Sequence, residues 1–226
     1  MEYELTNAGQ ALAETDRNFK LDAACKTLLA DKQILARILK ECAVEYKDCT
    51  IEEIIDCIEQ PSVGSSPLND LVCVQLPNQQ GKVALVMNIE AQQELHSRCE
   101  LVLKGICHAG VISERKNTQP AGADYRSIEK VYSVWICTHP AKSWRNTITV
   151  YHPHEENLIG DAHMEPDLQV IVIGLGNQNL SAETPLLGLL EVLLHSEIPS
   201  TEKMQELQKY GVQLKEDVVR PSVAPQ

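Results

Sequence analysis

The sequence predicts an α/β fold, a mixed β-sheet flanked by helices, and three observations predict it. The first quarter of the chain carries apolar residues at three- and four-residue steps, the period of a helix. Past a breaker cluster at 61–67 (Pro61-Ser62-Val63-Gly64-Ser65-Ser66-Pro67) the pattern changes to short β-branched and aliphatic runs. Strands and helices then follow in an order that is not a regular strand–helix alternation, which favours a mixed sheet over a parallel one.

Taken in order, residues 1–18 are polar and weakly patterned and are expected to form a flexible arm. From Phe19 a helical face collects Phe19, Ala23, Ala24, Thr27 and Leu28, and Leu29, Ile34, Leu35, Ile38 and Leu39 continue it. Asp31 suits the N-cap of the second helix, because its carboxylate can accept from backbone N–H groups that lack a partner inside the helix. Thr50-Ile51-Glu52-Glu53 matches a capping box, in which side chains at both ends of the motif satisfy each other's backbone donors. Strands are expected at 71–76 and 83–89, with a hairpin turn at 77–81. The second run is almost wholly apolar, as in a strand covered on both faces. A helix at 93–114 and strands at 130–137, 147–151 and 168–173 follow. Thr184-Pro185 reads as an N-cap with proline in the first helical position, leading into a helix at 186–194. A last helix is expected at 201–210, stopped by Gly211. The expected organisation is one domain at 19–212 and a disordered tail at 213–226.

The bulk numbers narrow the function classes. The 226 residues include 32 acidic and 20 basic ones, a formal net charge of −12. Duplex binding draws much of its affinity from neutralised phosphates, so the balance argues against tight non-specific DNA binding by the whole surface. The 8 cysteines form no CxxC pair, so free thiols in a reducing compartment are expected. No apolar run approaches the ~20 residues that span a bilayer, and no basic-flanked apolar leader opens the chain. Cytoplasmic location is the expectation, with no membrane partner.

The residues with most chemical content are Asp70, Glu90 and Gln92. Asp70 opens the first expected strand and Glu90 ends the second, which would bring the two carboxylates together across a short hairpin. Two such oxygens suit Mg²⁺ or Mn²⁺, hard cations that take a few carboxylate ligands and keep several waters. An ion held there would activate water and neutralise phosphate charge. Gln92 could orient the water or a phosphate oxygen but supplies no positive charge. From spacing alone, an acid at each strand end equally describes ordinary polar termini.

Lys104, on the following helix, is the candidate for the missing positive charge, against the plain alternative of a solvated helical lysine. His108 on the same helix is expected in the core or in a supporting role. Arg115, Lys116, Arg126 and Lys130 form either a modest basic strip or a scattered surface set. His152-Pro153-His154, with His139, Asp161 and His163, has the H-x-H spacing of some zinc sites, but no thiol pair joins it, so a solvated strand end is expected. Gly174-Leu175-Gly176 lacks the third glycine of a nucleotide loop and reads as a turn.

Several segments together resemble the PD-(D/E)XK nuclease family transposases, the recombination-promoting-nuclease-like group. Leu85-Val86-Met87-Asn88-Ile89-Glu90-Ala91-Gln92 resembles that family's "IINVEAQ" strand, and 130–140 its "KVYSIWIC-NPP" strand. The helix at 101–113, Asn146-Thr147-Ile148-Thr149 ("ENTIT"), Pro185-Leu186-Leu187-Gly188 ("NPLLG") and 31–39 fall in the same order. The likeness runs from about Asp16 to Gly211. It implies a restriction-endonuclease-like core and divalent-metal-dependent DNA cleavage linked to transposition or recombination. It carries the metal aspartate onto Asp70 and the E-x-Q pair onto Glu90 and Gln92, with Asp70 and Glu90 as metal ligands and Mg²⁺ or Mn²⁺ as cofactor. DNA is the implied partner, and a homodimer would let two sites cut two strands.

The chain departs from that pattern. The loop ahead of Asp70 has no acid where the family carries an acidic glycine-containing loop, and Cys107-His108 replaces an aromatic pair. These departures, with the acidic balance, define the alternative expectation of a catalytically inactive nuclease-fold protein that serves as a binding or assembly module.

Overall fold

The computed structural model describes residues 28–59, 71–77, 81–90, 98–118, 128–152, 168–176, 185–194 and 198–213. The helical run expected from Phe19, the 61–67 loop, the N-terminal arm and the tail from 214 lie outside the described residues. Asp31 starts helix α1 (Lys32–Cys42), its side chain accepting from the Gln33 N–H at 2.8 Å. Arg37 ties that helix to the end of the chain by donating to the carbonyls of Tyr210 and Gly211. A 3₁₀ turn (Val44–Tyr46) leads to helix α2 (Ile51–Cys57), where the Thr50–Glu53 capping box forms as expected.

Strands β1 (Leu71–Gln75) and β2 (Lys82–Glu90) pair antiparallel. Helix α3 (Arg98–Thr118) crosses to β3 (Ile128–Cys137), which runs parallel to β2. A 3₁₀ turn (Lys142–Trp144) precedes β4 (Thr147–Tyr151), and β5 (Leu168–Gly174) lies between β3 and β4, parallel to the first and antiparallel to the second. The sheet has 5 strands in the order β1-β2-β3-β5-β4. Helices α4 (Pro185–Leu194) and α5 (Ser200–Lys209) close the fold. The mixed α/β class is therefore as expected: a mixed sheet flanked by helices.

The sheet divides the apolar residues into unequal faces, because successive strand residues point to opposite sides. Val83, Leu85 and Met87 of β2 and Tyr132, Val134 and Ile136 of β3 join the large cluster that also contains α1, α4 and Leu207 of α5. Ala84 and Val86 pack with Ile112 and Val131, while Trp135 and Cys137 pack with Leu101, Val170 and Val172. Among the described residues, helix α3 is the helix packed on this face, over two smaller clusters.

One glycine fixes how closely α3 lies on the sheet. A Cβ on Gly105 would come within 2.7 Å of both methyls of Val170 and 3.2 Å of the Ser133 Oγ. Only the bare backbone fits between β3 and β5 at that height.

The large face contains a charged network that sequence reasoning missed. Glu45, in the 3₁₀ turn, receives the Lys130 Nζ on one carboxylate oxygen and the Tyr132 hydroxyl on the other, each at 2.6 Å. Lys130 is thus engaged by Glu45 on the face opposite α3. The side chains of Arg115 and Lys116, and all of Arg126, lie outside the described residues.

Candidate functional site

The three parallel strands finish in one row. Glu90, the last residue of β2, pairs with Cys137, the last of β3, and Cys137 pairs with Gly174, the last of β5. The carboxyl ends of neighbouring parallel strands form the crevice where open α/β sheets bind ligands. On the β5 side a turn occupies that crevice: the Trp144 carbonyl stands where a Cβ of Gly174 would be, and the Asn146 amide where one of Gly176 would be. Asn146 adopts φ 55°, a left-handed conformation that asparagine tolerates. The Gly176 N–H donates to Glu191 of α4. Gly174-Leu175-Gly176 is not the expected turn: Gly174 ends β5 and the Leu175 N–H extends the ladder by donating to the Cys137 carbonyl at 2.9 Å, with the segment packed against the Trp144–Asn146 turn.

Glu90 stands at that end; its side chain, and all of Asp70 and Gln92, lie outside the described residues. The strand register refines the hairpin argument for the carboxylate pair. Leu71 lies opposite Val86, not opposite the end of β2, so Glu90 runs four residues beyond the first paired residue of β1. At ~3.3 Å per residue that is an offset of about 13 Å along the strand. The register is described from Leu71 onward, and Asp70 lies before it, outside the described residues. Among the described residues no group of three or more His, Cys, Asp or Glu side chains is arranged to hold a metal ion.

Lys104 is half-buried and reaches the sheet near this end. Its Nζ lies 5.6 Å from the centroid of the Trp135 ring, a cation–π contact worth about 0.5–2 kcal/mol. His108, one helical turn later, stacks on the same ring with centroids 5.6 Å apart and planes at 23°. Trp135 is 6% exposed and donates its indole N–H to the Ser133 Oγ at 3.1 Å. In the register, Trp135 is the β3 partner of Asn88, two residues before Glu90. Lys104 is therefore set over the strand position next to the carboxylate end, and His108 supports the same tryptophan. Asn88 has a buried amide nitrogen that makes no hydrogen bond in this structure.

Sequence reasoning found Lys104 and His108 but missed Trp135 as their shared partner. The signal was a tryptophan inside a β3 run on the face opposite Tyr132, Val134 and Ile136, together with the i, i+4 spacing of Lys104 and His108.

The two described histidines of that set, His139 and His152, lie near opposite ends of the sheet. His139 follows β3 at the Cys137 end, beside Thr138, whose hydroxyl lies 2.9 Å from its Nδ1. His152 is exposed and follows β4, whose last residue Tyr151 pairs with Val170 near the opposite end of β5. His154, Asp161 and His163 lie outside the described residues.

The described cysteines are free thiols: Cys42 and Cys137 are buried, whereas Cys99 and Cys107 are exposed on α3. Burial pushes the Cys42 thiol up to about 12, with Glu41 adding to the shift, which makes it unreactive near neutral pH. No helix among the described residues is long and apolar enough to cross a membrane.

No family model, curated protein or solved structure matches the chain.

Proposed function

We propose that the chain is a divalent-metal-dependent DNA endonuclease of the PD-(D/E)XK transposase type, with a restriction-endonuclease-like core. The observation that carries this reading is Glu90 closing β2 in the row of parallel strand ends, with Lys104 set over the adjoining Trp135. The segment resemblance, running through Glu90 and Gln92, supplies the reaction class. Two carboxylates are hard-oxygen donors that fit Mg²⁺ or Mn²⁺.

In this reading Asp70 and Glu90 hold the cation. When bound, the cation supplies Lewis-acid activation of water and charge neutralisation at phosphate. Gln92 orients the attacking water or a phosphate oxygen through its amide. Lys104 contributes a fixed positive charge toward the negative charge that develops on the phosphodiester. The Trp135 ring lies beneath that cation, with its centroid 5.6 Å from the Nζ.

The experiment is plasmid nicking by the purified chain in Mg²⁺, repeated with Asp70→Ala. The expected result is nicking by the wild type and none by the variant. Equal nicking by both would refute the assignment.

The net charge of −12 favours a second reading, a catalytically inactive module that keeps the fold for binding or assembly. That reading predicts no Mg²⁺-dependent cleavage at all and no stabilisation by Mn²⁺.

A further inference from the structure

One polar residue interrupts an otherwise apolar strand. From Val83 to Ile89, every residue of β2 is apolar except Asn88. Asparagine is a poor strand residue, and a β-branched side chain would suit that place better. Alternation puts Asn88 on the face of Ala84 and Val86, the face that α3 covers. Its side-chain nitrogen is buried and makes no hydrogen bond in this structure. The neighbouring strands give the reason. Its β3 partner is Trp135, whose indole has a donor and no acceptor, and that donor already goes to the Ser133 Oγ. On the other side, the pairing of β1 is described from Leu71, opposite Val86, two residues short of Asn88. A buried N–H left without an acceptor costs free energy that an apolar side chain of similar size does not. Such a conflict between local preference and packing is expected at functional positions.

We propose that Asn88 is a substrate-binding residue, its side-chain N–H donating to a non-bridging oxygen of the phosphodiester at the carboxyl end of β2. The proposal rests on the nuclease reading and deepens it by naming an uncharged donor for the substrate backbone. Asn88 stands two residues before the last residue of β2, in the row of parallel strand ends where open α/β sheets take their ligands. Asparagine amides are among the ordinary donors to phosphate oxygens, and such contacts fix the register of a duplex without reading its sequence. The residue is half-buried, and rotation about χ2, a broad torsion in asparagine, turns the N–H from the interior toward the reachable side.

Two measurements test this. The first does not depend on DNA. Asn88→Val removes the unmet donor and should raise the melting temperature of the full chain by about 2–4 °C. Asn88→Asp, which keeps the shape and adds a charge, should lower it. A fall in melting temperature for Asn88→Val would mean that the amide serves the fold rather than a ligand, and it overturns the proposal.

The second is the affinity of the full chain for a fluorescein-labelled DNA duplex of random sequence in Ca²⁺, read by anisotropy, with plasmid nicking in Mg²⁺ scored separately. Asn88→Val should weaken binding by about 10-fold. Asn88→Asp should weaken it further, because a carboxylate then faces the phosphate charge. A stabilised Asn88→Val protein that binds the duplex less well joins both expected results in one variant, which a merely structural amide would not do. Unchanged affinity in Asn88→Val overturns the proposal, and the nuclease reading stands if the wild type nicks plasmid. A wild type that neither binds the duplex nor nicks plasmid removes the nuclease reading, and the assignment of Asn88 to phosphate falls with it.

Discussion

The two faces of the sheet differ in how their apolar residues are gathered and in which side chains cross them. On the face covered by α1, α4 and α5, Glu45 is bound by both Lys130 and Tyr132, and Tyr46 donates to the Gln75 carbonyl at 2.8 Å. The apolar residues there form one large cluster around Ile34, Ile38, Leu85 and Tyr132. On the other face, among the described residues, helix α3 covers two smaller clusters. That helix leaves Leu103 and Ile106 exposed and carries Lys104 and His108 to one tryptophan. The difference teaches how the faces are built: one holds a large apolar cluster beside a satisfied Glu45 network, and the other brings Lys104 and His108 of one helix onto Trp135.

That division can be broken at several places. The largest stability loss is expected from the closed face: Ile38→Ala, at a site 0% exposed, should cost about 2–5 kcal/mol, measured by urea unfolding. An equal loss from Leu103→Ala, which is 61% exposed, would contradict the assignment of the faces.

Next comes the helix contact. Gly105→Ala should destabilise by about 1–3 kcal/mol through overpacking against Val170, even though alanine favours a helix by about 1 kcal/mol over glycine. The same variant should disturb the Lys104–Trp135 contact, which Ile38→Ala should leave in place. A stabilised Gly105→Ala protein would show that α3 does not rest on the sheet as described.

Smaller is the effect of the Glu45 network. Glu45→Gln should cost about 1–3 kcal/mol near neutral pH without altering metal-dependent activity. Burial pushes the Glu45 carboxyl up, but the hydrogen bonds from Lys130 and Tyr132 outweigh burial and hold it below its ordinary value of 4.5. A group whose folded value is depressed contributes stability that is present above its ordinary value and lost as pH falls through the folded one. The wild type should therefore lose stability more steeply than Glu45→Gln as pH drops below about 4.5. Parallel profiles would show that the network contributes nothing to acid sensitivity.

Local signals were legible in the sequence because they act over a few residues. The Asp31 cap, the Thr50–Glu53 box, the apolar β2 run and the Gly211 stop, at φ 69°, all fall where the residue pattern put them. Helix α3 is described from Arg98 and ends at Thr118, four residues past the expected end at 114. The insertion of β5 between β3 and β4 depends on pairing between distant segments, which no local pattern encodes. For the same reason Lys130 looked like a free cation: its partner, Glu45, lies 85 positions away in sequence. Of the candidate site, the strand end at Glu90 and the placement of Lys104 on the next helix could be read from the residues. The role of Trp135 could not, since it follows from how closely Gly105 lets α3 approach β3 and β5. The hairpin argument for Asp70 beside Glu90 turns on residues ahead of Leu71, which lie outside the described residues.

The most direct test of the metal site is thermal unfolding of the full chain with and without Mn²⁺, compared with Glu90→Gln and Asp70→Ala. A ligand that binds only the folded state raises the transition temperature in proportion to its affinity. The account predicts a Mn²⁺-dependent rise for the wild type that disappears in both variants. A wild type unmoved by Mn²⁺, or a rise of the same size in either variant, would contradict it.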